Sequence, residues 1–96
     1  MTFNVKLSPV IVEQLNSLDE NSKRAVWEKI KLIEENPFHF KKIHSQRFRK
    51  VFRVRMNIQG RETRLIYAVL EPNIIIACLL ERKRDYHDLE KYLAKI

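Results

Sequence analysis

One glycine, Gly60, stands in 96 residues. A phosphate-cradling P-loop, a dinucleotide-binding glycine turn and a collagen repeat all need more than one, so all three are excluded. One cysteine, Cys78, excludes a disulfide framework within the chain and every cysteine-clustered zinc site. The longest apolar run, Ile74–Leu80, is seven residues, whereas a membrane span needs about 20. The opening stretch MTFNVKLSP has neither the cationic nor the apolar segment of a secretory signal. Apolar residues make up 45% of the chain, enough for a modest core and too many for intrinsic disorder. These features lead us to expect a soluble, cytoplasmic chain forming a single domain over residues 1–96, with no membrane partner.

What is abundant is positive charge. The formal net charge is +7, and it is unevenly spread. Residues 1–40 carry five basic and six acidic side chains, whereas residues 41–64 carry nine basic side chains against Glu62 alone. A field of one sign on one side of a protein steers anionic partners toward it. Nucleic acid and an acidic protein are the leading partner classes; the bland alternative is a solvated basic face.

The hydrophobic pattern reads β-α-α-β-β-β-α. Phe3, Val5 and Leu7 alternate with polar residues over Thr2–Leu7, as in a strand with one buried face. Ser8-Pro9 supplies a helix N-cap and a first-turn proline, followed by Ile11, Leu15 and Leu18 at helical spacing. Asp19 caps a second helix with Ser22, Val26, Ile30 and Ile33 on one face, and Pro37 stops it near Asn36. Trp27 is expected to anchor this helical hairpin. After a loop over Phe38–Ser45 the period changes to two. Lys50–Asn57 and Glu62–Glu71 read as strands joined at Gln59-Gly60. Ile74–Leu80, apolar on both faces, reads as a central strand. Asp85 opens a final helix in which Tyr86, Leu89, Leu93 and Ile96 share a stripe. The fold class is α+β, a twisted antiparallel sheet with the helical hairpin on one face and the basic residues on the other.

Arg53 and Arg55, two apart on a strand, point the same way and form a cationic ridge, or else a solvated outer face. Arg64 shares its parity with Ile66, Ala68 and Leu70. An arginine among apolar neighbours needs a partner or a purpose; an ion pair with Glu62 or Glu71 is the structural alternative. Cys78 reads as a small buried hydrophobe. His39, His44 and His87 lack metal-ligand spacing, so no metal or other cofactor is expected. His87 is either an acid–base group beside Tyr86 or an exposed first-turn residue.

Three segments resemble motifs of the RelE/ParE toxin superfamily: Val51-Phe52-Arg53-Val54-Arg55, Thr63-Arg64-Leu65-Ile66-Tyr67 and Glu81-Arg82-Lys83-Arg84-Asp85-Tyr86. The order of elements matches over nearly the whole chain. The resemblance implies the toxin of a type II toxin–antitoxin system, a metal-free endoribonuclease that enters the ribosome and cuts mRNA there. It also implies a flexible cognate antitoxin, acidic or amphipathic. ParE-type members instead inhibit DNA gyrase, and a fold that has lost its activity is a third possibility. On the RelE-like alternative, Arg64, Arg82, Lys83 and Tyr86 are the catalytic candidates, and Lys50, Arg53, Arg55, Arg61 and Arg84 bind RNA phosphates. Glu81 departs from the superfamily's pattern, which often has histidine there, and one extra residue precedes Asp85. The register of that last motif is therefore open, and Tyr86 either stacks on a base or packs with the helical stripe.

Overall fold

In the computed structural model, which describes residues 3–81 and 88–96, the elements run β1 (Asn4–Leu7), α1 (Pro9–Asn16), α2 (Glu20–Glu35), β2 (Lys41–Ile43), β3 (Val51–Ile58), β4 (Arg61–Leu70), β5 (Asn73–Glu81) and α3 (Leu89–Leu93). The chain is α+β with a five-stranded sheet in the order β1-β5-β4-β3-β2.

Local chemistry sets the helix starts. Ser8 caps α1, its hydroxyl accepting from the Ile11 amide (3.1 Å) with Pro9 in the first turn. That hydroxyl also donates to the Ala77 carbonyl, which ties the cap to β5. Asp19 caps α2 by accepting from the Ser22 amide at 2.7 Å, and this bond holds its carboxyl below the usual range. The stripe Ser22, Val26, Ile30 and Ile33 is buried as its spacing predicts. Trp27 is not the anchor its size suggested. It lies one residue, or about 100° of helix, round from Val26, and remains 43% exposed.

The meander β3-β4-β5 is antiparallel. Gln59 and Gly60 both take positive φ, 54° and 77°, the geometry of a two-residue type I′ hairpin turn whose twist suits the flanking strands. Two features differ from the sequence reading. β2 lies inside the expected loop and pairs antiparallel with β3; three residues are too few to show alternation. β1 pairs in parallel with β5, Val5 beside Ile74 and Leu7 beside Ile76, so the sheet is mixed rather than antiparallel throughout. β5 is interior, as an all-apolar strand should be.

The sheet divides two clusters. Under α1 and α2 lie Phe52, Val54, Met56 and Ile58 of β3 with Leu65, Tyr67, Val69, Ile74 and Ile76. Tyr67 stacks on Phe52 (centroids 5.3 Å apart), and its hydroxyl donates to the Pro37 carbonyl at 2.6 Å, fixing the exit of α2 to the sheet. Burial raises the ionisation of that hydroxyl above the ordinary tyrosine range. On the opposite face Leu89 and Leu93 of α3 cover Val51, Ile66, Ala68 and Cys78. Ala77 and Leu80 belong to the same cluster, and Ile43 packs against it.

Candidate nucleic-acid interface

The register of β3 and β4 brings the central arginines together. Arg55 lies directly opposite Arg64, and Arg53 opposite Ile66. On the outer side of β3, Lys41 of β2 lies opposite Arg53. Residues opposite one another share a sheet face, so Lys41, Arg53, Arg55 and Arg64 converge on the face that α3 leaves uncovered. They line an open concavity of about 640 Å³ with Lys42, Ile43 and His44. Like charges directly opposite in a sheet are destabilising. The facing pair of Arg55 and Arg64 therefore suits an anion between them.

The cations differ in exposure. Arg53 is buried, with 8% of its surface exposed, while Arg55 is exposed and Arg64 intermediate. Burial keeps Arg53 to a small range of orientations, and the planar guanidinium makes two-point contacts to a phosphate. Among the described residues no carboxylate lines the concavity. The segment between β2 and β3 is held beside it: Glu90 accepts from the Gln46 amide at 3.0 Å, and Phe48 packs against the α3 cluster.

Other expected residues lie elsewhere. Lys50, at the opposite end of β3, pairs with Glu71 at 3.1 Å and stands over the Phe38 ring, 5.4 Å from its centroid. Glu71 is thus engaged by Lys50. Arg61 sits beyond the hairpin turn and pairs with Glu81 at 3.0 Å. Neither lines the arginine concavity. Arg82, Lys83, Arg84, Tyr86 and His87, and the expected helix start at Asp85, lie outside the described residues. Cys78 is buried, and burial, with a contribution from the Asp88 carboxylate, pushes its thiol up to about 12, which leaves it protonated and inert. Among the described residues no cluster of His, Cys, Asp and Glu suits a metal ion.

Lys41, Lys42 and His44 were not among the site candidates, because they fall in a segment with no periodicity. The signal available was the lysine doublet itself, just ahead of the arginine strand.

The family model described as Phage derived protein Gp49-like (DUF891) matches residues 13–91. The chain belongs to the Gp49-like family. This family is a RelE-like toxin family, and the Gp49-like chain has the RelE fold. The E. coli toxin RelE, solved in the free state with two substitutions, superposes with a TM-score of 0.72 over 99% of this chain and 94% of that one, at 10% identity. A chain of the archaeal RelE–RelB complex from Pyrococcus horikoshii OT3 superposes with a TM-score of 0.62 at 26% identity, covering 88% of the Gp49-like chain and 99% of its own. No curated protein matches the Gp49-like sequence.

Proposed function

We propose that this Gp49-like protein is the toxin of a type II toxin–antitoxin system and acts as a ribosome-dependent, metal-free mRNA endoribonuclease in the cytoplasm. The carrying observation is the cluster of Arg53, Arg55 and Arg64, with Lys41, around one open concavity.

When a 2′-hydroxyl attacks its own 3′ phosphate, a cyclic phosphate forms and the bond to the 5′-oxygen of the next nucleotide breaks. The proton lost by the 2′-oxygen is balanced by one delivered to that 5′-oxygen. The attack needs in-line positioning, which a fixed array of donors supplies. Charge grows on the phosphorane oxygens, and preorganised guanidiniums stabilise it most where water is partly excluded. Arg53 fixes the ground-state phosphate, and Arg55 and Arg64, opposite each other, receive the growing charge. A cognate antitoxin, acidic or amphipathic and flexible, silences the toxin by covering this face. The RelE–RelB complex of the archaeal relative supports such a partner.

The test is mRNA cleavage in a reconstituted translation system. The parent should cleave ribosome-bound message. Arg64→Ala should slow cleavage by a factor of about 100 to 1000, as loss of one transition-state donor typically does, with the circular dichroism spectrum unchanged. Arg64→Lys should restore only part of the rate, because an ammonium keeps the charge without the fork. A folded Arg64→Ala protein cleaving at the parent's rate would remove Arg64 from the mechanism. The ParE-like reading draws on Glu81, which stands in place of a histidine and is engaged by Arg61. A parent that leaves mRNA intact but inhibits gyrase supercoiling would establish that reading instead.

A further inference from the structure

β2 is shorter than the strand it covers. It ends at Lys41, opposite Arg53, while β3 continues to Ile58. Among the described residues no strand pairs with the outer side of β3 from Val54 onward, and a notch opens there between the sheet and α2. A second concavity of about 490 Å³ occupies this notch, lined by Lys29, Phe40, Lys41, Arg53, Val54 and Arg55. Lys41, Arg53 and Arg55 line both concavities. The two adjoin at these shared side chains and together trace a path from Arg64 on the sheet face, round the end of β2, to Lys29 on α2.

The far end of this path has the makings of a nucleotide subsite. Lys29 lies on α2 between the buried stripe and solvent and is itself partly buried. Its stem can rest on apolar surface while its ammonium faces the notch. Phe40 is held in place by partial packing against the main core, and the exposed ring of His39 stands edge-on to it at 5.2 Å. A cationic track beside an anchored aromatic is how proteins hold single-stranded nucleic acid, phosphates on the cations and a base on the ring. Among the described residues no carboxylate lines either half of the path.

We propose that the RNA strand engaged at the arginine cluster continues over the end of β2 into a second subsite. There Lys29 and Lys41 take a neighbouring phosphate, and Phe40, flanked by His39, receives an adjacent base. This inference rests on the endoribonuclease reading and extends it from one phosphate to the course of the strand. It gives the toxin a hold on message outside the scissile position.

The test uses the purified full chain and labelled oligoadenylates of about four and about ten nucleotides, with binding measured by fluorescence anisotropy between about 50 and 200 mM salt. Lys29→Gln should weaken the longer oligonucleotide several-fold and lower its salt slope by about 0.7, the loss of one phosphate contact to a single strand. The shorter one, which fits at the arginine cluster, should bind as to the parent. Phe40→Leu, which keeps an apolar side chain on the core, should weaken the longer oligonucleotide by about 5- to 150-fold, the value of one base–aromatic stack. If Lys29→Gln binds both lengths as the parent does, the second subsite is wrong and the endoribonuclease reading stands. If Lys29→Gln loses affinity for an acidic peptide but not for RNA, the notch is a protein-docking site and the proposal is overturned. If the parent binds neither oligonucleotide and leaves ribosome-bound message intact, the functional reading fails and the subsite with it.

Discussion

On one side of β3, Phe52, Val54, Met56 and Ile58 all lie buried against the helices. On the other, Val51 is buried under α3's cluster, Arg53 is buried although charged, and Arg55 stands exposed opposite Arg64. The same backbone, with the same hydrogen bonds, carries both faces. The covered face follows the rule that burial is repaid by removing apolar surface from water. The cationic end of the opposite face departs from that rule twice, by burying a guanidinium and by setting two like charges across from one another. Positions that depart from the local rules their neighbours follow are where function is expected.

This contrast can be broken or sharpened by measurement. Ile33→Ala removes buried methyl groups from the covered face, where Ile33 is fully enclosed. It should cost about 2–5 kcal/mol of stability, read from urea denaturation; a smaller loss would mean that the helical layer contributes less than its packing indicates. Next in size is the edge of the same layer. The Gln14 side-chain amide donates to the Leu79 carbonyl at 2.9 Å and accepts from the Leu79 N–H at 2.7 Å, so one residue of α1 stands in for a strand where β1 has ended. Gln14→Leu strands both backbone groups and should cost about 1–3 kcal/mol, with faster amide exchange at Leu79. The smallest effect has the opposite sign. Arg55→Gln relieves the like-charge pair and should raise stability by about 0.2–1 kcal/mol while weakening RNA binding. A destabilised Arg55→Gln protein would show that the arginine face is built for folding after all.

The legible parts of the fold were those written in local pattern. The stripe of α2, both caps, the hairpin turn at Gln59-Gly60 and the interior strand Ile74–Leu80 each rest on neighbours in sequence. β2 and the parallel seating of β1 were not legible, because both depend on partners far along the chain and β2 has only three residues. The site divides in the same way. Alternation put Arg53 and Arg55 on one face, but only the register set Arg64 against Arg55. Lys50 and Arg61 looked equivalent to these in a tally of charge, yet they lie at opposite ends of the meander, each engaged by a glutamate. For Trp27 the angular position on the helix, and not the size of the side chain, decides exposure.

The pairing of β1 with β5 bears on the order in which the chain can be assembled as it is made. The bond from the Ser8 hydroxyl to the Ala77 carbonyl spans 69 positions. At roughly 5–20 residues per second, the N-terminal strand emerges several seconds before its partner exists. The β3–β4 hairpin, closed by a two-residue turn, can form meanwhile from contacts made nearby in sequence. The two arginines that face each other are thus expected to meet early, on a hairpin whose supporting layer is not yet seated. Synthesis of β5 is then the commitment step, since it gives β1, the α1 cap and Gln14 their place at the same moment.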